Sequence, residues 1–177
     1  MRAPTCFLTL VACLLIAGCG GGEEPTDNAV EATERNTVEL GDLTYRVNLF
    51  RQLNPRIAPD DAIYDGPPAG DGQGFYAAFL RVCNETDSSV APTGAVSLED
   101  AFGDGFRRVD LGEDNEFAYS SRPLQPGECL PEENTAASRT VEGATVLFEV
   151  PLDQIDDRPF VLELGEGDER RRIQLDL

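Results

Sequence analysis

The central stretch of this sequence is FYAAFLRVC, residues 75–83, the most apolar run that follows the first nineteen residues. It is bounded by the turn-rich segment GPPAGDGQG (66–74) and by NETDSS (84–89). A short apolar run between turn signals is typical of a strand buried on both faces. We therefore predict that residues 75–83 form the central strand of a sheet.

Shorter strand patterns surround this run. In the segment LTYRVNL (43–49) apolar and polar residues alternate, which is the period of a half-buried strand. Further strands are predicted at 95–99, 106–109, 116–119, 144–150, 160–164 and 172–177. Residues 165–168 would form a hairpin turn between the last two strands, and the best helix candidate, 152–156, is a single turn. About seven or eight short strands in roughly 140 residues predict an all-β fold, an immunoglobulin-like antiparallel β-sandwich.

The N-terminus has the pattern of an export signal. Met1 and Arg2 precede an apolar segment, 7–17, which is shorter than the roughly 20 residues that a spanning helix needs. The residues Ile-Ala-Gly-Cys at 16–19 resemble the lipobox of bacterial lipoproteins. That resemblance implies cleavage between Gly18 and Cys19 and a diacylglyceryl group, with acyl chains such as palmitate, on Cys19. The alternative is an ordinary secretory signal with an incidental Cys19.

These patterns divide the chain into three parts. Residues 1–18 are the predicted lipoprotein signal peptide, 19–36 the lipidated cysteine and a disordered acidic tether, and 37–177 the β-sandwich domain. A weak helix at 29–34 is the alternative for the tether. Two acyl chains suffice for stable anchoring. We expect the protein on the extracytoplasmic face of the cell membrane.

The cysteines agree with an exported protein. Cys6 and Cys13 leave with the signal and Cys19 carries the lipid, so Cys83 and Cys129 remain in an oxidising compartment. We predict that Cys83 and Cys129 form a disulfide, which would stabilise the fold by roughly 4 kcal/mol. Two separate buried thiols are the alternative.

The charge limits the possible partners. Of the 14 basic residues, all arginine, Arg2 leaves with the signal, and against 33 acids the mature charge is therefore −20. Nucleic acid is excluded because phosphate binding needs a basic surface. Anionic headgroups would repel the folded part, so we expect membrane contact through the lipid alone.

The missing residue types limit the possible chemistry. The sequence has no His and no Lys, which removes Ser-His-Asp triads, Cys-His pairs and lysine nucleophiles. A carboxylate pair acting on a sugar is what remains. None of the 33 acids lies in an apolar setting that would single it out, so no enzymatic activity is expected and a carboxylate-based hydrolase is a remote alternative.

Two acidic loops are candidates for a calcium site, since calcium prefers oxygen ligands. The first is the glycine turn with Asp100 and Asp104. The second is the loop with Asp110, Glu113, Asp114 and Glu116. Neither loop has the ligand spacing of a dedicated calcium loop, and solvated turn acids are the alternative. No other cofactor is expected.

Several stretches together are similar to the telokin-like, immunoglobulin-type domain of unknown function found in many bacterial lipoproteins, a relative of a secreted mycobacterial immunoprotective antigen. They are LTYRVNLF (43–50), FLRVCNETD (79–87), SLEDAFGDGF (97–106), LQPGECLP (124–131), TVLFEVP (145–151) and IQLDL (173–177). The resemblance covers roughly residues 40–177. It implies a β-sandwich outside the cytoplasmic membrane with no established activity and no assigned site residues.

The expected function is therefore that of a non-catalytic envelope component that interacts with another protein. Sandwich domains commonly bind through end loops or an edge strand. The loop at 66–74 and the proline-rich loop at 122–135 are the candidate binding segments, because the fold alone does not explain their length. A calcium-binding or small-ligand-binding exported domain is the alternative. The sequence does not predict an oligomeric state.

Overall fold

The structure is a computed structural model that describes residues 29–140 and 143–177. The predicted signal peptide, the cleavage site at Gly18 and Cys19, and most of the tether lie outside these residues. The strands are β1 Ala32–Thr33, β2 Thr37–Leu40, β3 Leu43–Leu53, β4 Gln73–Asn84, β5 Val96–Glu99, β6 Arg107–Val109, β7 Cys129–Leu130, β8 Ala144–Pro151, β9 Phe160–Leu164 and β10 Arg171–Leu175. One helix is described, α1 Ala136–Thr140, with 3-10 turns at Asp60–Ala62, Leu152–Gln154 and Gly167–Glu169. In the described ranges no helix has the length and apolar character needed to span a bilayer.

The strands form two sheets that pack face to face. One sheet has the order β1-β10-β9-β5, and the other has the order β2-β3-β4-β8-β6, with β7 added to β4. The core between the sheets includes Tyr45, Phe148 and Phe160, which are fully buried. The prediction of a β-sandwich is confirmed, with ten strands among the described residues rather than about seven or eight.

Strand β4 is the central strand of the larger sheet, as predicted. It pairs with β3 on one side and with β8 on the other. Tyr76, Ala78 and Leu80 face the core between the sheets, whereas Phe75 and Phe79 face a second apolar cluster on the outer side of the sheet. Because both faces are covered, the β4 sequence shows an apolar run instead of an alternation.

Long connecting segments cover the outer side of the six-stranded sheet. Ile63 from the β3–β4 connection, Phe117 from the β6–β7 connection and Ala137 from α1 are buried there. These segments form a third layer on the sandwich. The sequence did not predict this layer because its apolar residues are isolated within irregular segments.

One edge differs from the sequence prediction, and another agrees with it. The predicted strand at 116–119 is wrong: this stretch makes one isolated parallel bridge, Ala118 to Thr145. Its apolar residues instead point in two directions, since Phe117 packs on the outer cluster and Tyr119 on the core between the sheets. The hairpin predicted at 165–168 is confirmed, because β9 and β10 pair antiparallel on either side of it.

The predicted tether, 19–36, ends earlier than expected. Strand β1, Ala32–Thr33, runs parallel to β10, and the amides of Glu31 and Glu34 donate to the carbonyls of Arg172 and Gln174, each at 3.0 Å. The strand also replaces the weak helix considered for 29–34. This edge is held by backbone hydrogen bonds, which do not depend on side-chain type. The acidic sequence therefore shows no alternation that would have predicted a strand.

Candidate functional site

The proline-rich loop at 122–135 is fixed to the central strand. The structure contains a disulfide between Cys83 of β4 and Cys129 of β7. The buried side chain of Asn84 donates to the carbonyl oxygens of Ser88 and Leu124, at 2.7 and 2.9 Å. These contacts hold the base of the loop against β4, so that the rest of the loop can form one wall of a surface cleft.

That cleft is a groove open to solvent, with a volume of about 770 Å³. Its walls are the segment that runs from β6 to residue 122 and the part of the proline-rich loop that follows β7. We call it the loop groove, and its lining includes Arg108, Asp110, Asp114, Tyr119, Pro131 and Thr145. The loop groove brings together two segments that are distant in sequence.

The floor of the loop groove contains a buried polar group without a partner. Thr145 of β8 is 1% exposed, and its hydroxyl has no hydrogen-bond partner among the described residues. Leaving a buried hydroxyl unpaired costs about 1–3 kcal/mol. The hydroxyl is itself closed to solvent, so a bound molecule would reach it only after neighbouring side chains had moved.

An aromatic ring and a guanidinium group form one side of this floor. The hydroxyl of Tyr119 donates to the carbonyl oxygen of Thr93 at 2.7 Å, and the Arg108 guanidinium lies 5.8 Å from the centre of the Tyr119 ring. Burial raises the pKa of Tyr119 far above its usual range. The phenol therefore stays neutral, and the Arg108 side chain supplies a positive charge beside it.

The predicted calcium residues of the second loop line the same groove. Asp110, Glu113, Asp114 and Glu116 all lie on its wall and are exposed. Two of them are engaged locally: a carboxylate oxygen of Asp110 accepts from the Gly112 amide at 2.9 Å, and one of Glu116 accepts from the Ala136 amide at 3.2 Å. Within 29–140 and 143–177, no three acidic or cysteine side chains are close enough together to hold a metal ion.

The first calcium candidate lies apart from the loop groove. Asp100 is 3% exposed, and one of its carboxylate oxygens accepts from the amides of Phe102 and Asp104, at 2.8 and 2.9 Å. The Asp100 side chain therefore stabilises its own turn. Asp104 is exposed, and the structure does not bring Asp100 and Asp104 together with the acids at 110–116.

The two loops singled out in the sequence have different roles. The proline-rich loop lines the groove, whereas the loop at 66–74 docks on the sheet, where the Gly70 amide donates to a Glu149 carboxylate oxygen at 2.7 Å. Sequence reasoning did not find Arg108, Tyr119 or Thr145. One hint of this site was present in the sequence: Thr145 is a polar residue within the apolar stretch that begins ATVLFEVP (144–151).

Comparison with known proteins gives a shared fold. No protein-family model matches the sequence, and no curated protein matches it. The Bacillus subtilis protein yjhA is similar in structure, with a TM-score of 0.53 and 12% identity over 82% of this chain and 99% of that chain. A candidate lipoprotein, ycdA, from Bacillus subtilis subsp. subtilis strain 168 has a TM-score of 0.51 and 13% identity over 81% of this chain and 39% of that chain.

The secreted protein MPT63 from Mycobacterium tuberculosis has a TM-score of 0.48 and 14% identity over 85% of this chain and 99% of that chain. The class that the fold defines is a β-sandwich covered on one face by long loops. The resemblance to the telokin-like domain stays a prediction, as does the lipobox.

Proposed function

We propose that this protein is a lipid-anchored β-sandwich on the extracytoplasmic face of the cell membrane, and that it works by binding an envelope protein in the loop groove. The loop groove carries the proposal. Its floor holds the unpartnered Thr145 hydroxyl, and its proline-rich wall is fixed by a disulfide. A rigid wall lowers the entropy cost of binding, because little of the loop must be ordered when the partner arrives.

The lining of the groove favours a protein segment as the partner. Exposed acids on one wall face a cleft that also contains Arg108, the Tyr119 ring and the apolar residue Leu130. A segment with a basic residue near the acid wall would match these groups. Mixed polar and apolar linings of this kind are common in sites that recognise peptides.

We infer that the groove acts by binding rather than by catalysis. Its carboxylates are exposed, whereas a carboxylic acid that donates a proton in a hydrolase lies in apolar surroundings. Among the described carboxyl groups, burial raises the pKa of Glu34, which is outside the groove lining. Neither His nor Lys is present in the sequence to serve as a base or a nucleophile.

A pull-down from detergent-solubilised envelope tests the groove. Asp114→Arg reverses one charge on the groove wall, and Asp168→Arg makes the same change at the exposed turn before β10. We expect Asp114→Arg to lose, and Asp168→Arg to retain, the proteins captured by the unmodified chain. Equal capture by both variants would show that the groove is not the binding surface.

The anchor is tested separately with Cys19→Ser. We expect this variant to accumulate as an uncleaved precursor or to be released from the membrane, because the acyl chains would no longer be added. Membrane fractionation and mass spectrometry of the N-terminus measure both outcomes. A Cys19→Ser protein that was still processed and membrane-bound would contradict lipid anchoring, whatever the result for the groove.

A further inference from the structure

Three arginines gather on the outer face of the six-stranded sheet, on the other side of the proline-rich loop from the loop groove. Arg35, Arg46 and Arg81 are exposed and line a pocket of about 540 Å³, together with Asn48, Pro131, Ser138 and Gly143. We call this the arginine pocket. Pro131 lines both the arginine pocket and the loop groove.

The sheet register explains why the three guanidinium groups are close. Arg46 of β3 is directly opposite Arg81 of β4, so their side chains leave the same face as cross-strand neighbours. The Arg35 amide donates to the carbonyl of Val47, the residue after Arg46, at 2.8 Å. Like charges placed directly opposite each other in a sheet destabilise it. The fold therefore concentrates positive charge here at a cost.

The described residues neutralise these charges only in part, since the Arg35 charge acts on the neighbouring Glu34. In the described ranges, Arg35, Arg46 and Arg81 form no ion pair with a carboxylate, although the sequence has 33 acids for 14 arginines. Six other arginines do form such pairs: Arg51, Arg107, Arg122, Arg170, Arg171 and Arg172. In so acidic a protein, three neighbouring arginines without carboxylate partners indicate a site for an anion from outside the chain.

The backbone at Arg35 holds this residue beside β3. Arg35 has a φ of 68°, in the left-handed region, and lies in the turn closed by the hydrogen bond from the Asn36 amide to the Thr33 carbonyl. Glycine is the residue that adopts this conformation without strain. The turn from β1 to β2 requires this conformation, so the fold itself fixes Arg35 at the pocket.

We propose that the arginine pocket binds a phosphate group. Guanidinium groups offer paired N–H donors that match the oxygens of a phosphate, and three of them suit its double negative charge. Of the other lining groups, the Ser138 hydroxyl already donates to the carbonyl of Thr135 at 3.0 Å, so the arginines supply the recognition. This site goes beyond the proposed function, since none of its arginines lines the loop groove.

The test uses the full-length Cys19→Ser chain, so that acyl chains play no part and a failure of the anchoring proposal does not affect it. Inorganic phosphate is titrated and followed by calorimetry and by the arginine side-chain NMR signals. Binding to vesicles of phosphatidylglycerol, compared with vesicles of phosphatidylcholine, shows whether the phosphate is that of a lipid headgroup. Binding of either probe supports the site, and the probe that binds identifies the source.

Three variants and one control locate the site. We expect Arg46→Gln and Arg81→Gln each to weaken binding at least tenfold, and Arg56→Gln, the same change at an exposed loop position, to leave it unchanged. Arg35→Gly should weaken binding while the melting temperature stays the same or rises. Measuring both binding and melting temperature on Arg35→Gly separates loss of the ligand from loss of the fold.

The proposal is overturned if neither phosphate nor phosphatidylglycerol vesicles bind in a saturable way. It is also overturned if Arg56→Gln weakens binding as much as Arg46→Gln does, since that result would reflect general attraction to positive charge. A chain carrying Asp114→Arg, the groove variant, should bind phosphate as before. The two proposals can therefore fail independently.

Discussion

Asp60 shows how a single buried charge organises the outer layer. Its carboxylate accepts from the two Nη atoms of Arg51, at 2.7 and 3.0 Å, and from the Asn54 amide at 2.8 Å. The Arg51 guanidinium also lies 5.1 Å from the centre of the Phe79 ring. Together these contacts fix the start of the β3–β4 connection, which places Ile63 on the outer apolar cluster.

We predict that Asp60→Asn lowers the free energy of unfolding by about 1–3 kcal/mol, because Arg51 would lose a buried ionic partner. Burial alone would raise the pKa of Asp60, but the Arg51 and Asn54 hydrogen bonds and the Arg51 charge bring it below 3.8. A lowered carboxyl pKa stabilises the fold above the unfolded value and loses that contribution as the pH falls through the folded value.

The wild-type protein should therefore lose this contribution below about pH 4, whereas Asp60→Asn should lack that part of the acid loss. Urea denaturation at pH 7 and at pH 3 measures both effects. Asp61→Asn, at the exposed neighbouring position, is the matched control and should resemble the wild type. If Asp60→Asn and the wild type lost the same stability between pH 7 and pH 3, Asp60 would not be the cause of the acid sensitivity.

Among the elements, strand β7 has only two residues, yet it holds the proline-rich loop on the central strand. It pairs Cys129 and Leu130 with Cys83 and Val82 of β4 and carries the disulfide that closes a separation of 46 residues. It also precedes Pro131, which lines both the loop groove and the arginine pocket. The wall between the two pockets therefore depends on one covalent link.

Replacing Cys83 and Cys129 together with Ala should lower the free energy of unfolding by roughly 4 kcal/mol, since the unfolded chain gains the freedom of the opened loop. Partner capture by the loop groove should fall in the same variant, because its wall would no longer be held on β4. Chemical denaturation and the pull-down measure the two effects. Adding a reductant to the double variant should change neither result, whereas the wild type should become less stable.

The sequence was informative about some elements and silent about others for physical reasons. Strand β4 was predictable because burial on both faces requires an apolar run. Strands β1 and β7 were not, because two residues held by backbone hydrogen bonds leave no periodic pattern. The site was half predictable: the proline-rich loop and the acids at 110–116 were identified, whereas Arg108 and Tyr119 come together through the fold.

For the molecule as a whole, the dominant property is its charge, formally −19 over the whole sequence. Mutual repulsion of so many acids destabilises the compact state, and salt screens it over a Debye length of about 8–10 Å near physiological ionic strength. We therefore expect the melting temperature to rise by a few degrees as sodium chloride is increased from about 10 to about 500 mM.

The same experiment tests the calcium alternative. Calcium chloride at about 2 mM, compared with sodium chloride of equal ionic strength, should give the same melting temperature if calcium only screens charge. A larger rise with calcium that Asp114→Asn abolished would instead indicate a site in the acidic loop. Differential scanning calorimetry of the wild type and this variant separates the two cases.

At this scale the sequence predicted the architecture better than the site. Alternating strands and the apolar run at 75–83 were enough for a sandwich, since these patterns follow directly from which faces are buried. The third layer was not predicted, because long loops that pack on a sheet have no regular period. The proline-rich loop lines both pockets, so the proposals depend on a part of the molecule with a weak sequence signal.

The parallel pairing of β1 with β10 also has a consequence for how the chain reaches its final state. Strand β1 lies early in the sequence and pairs with β10, which ends at Leu175, so β1 cannot find its partner until β10 has been synthesised. The four-stranded sheet cannot close while synthesis or transport is in progress. A chain exported through the predicted signal would therefore complete this sheet only after its last strand had crossed the membrane.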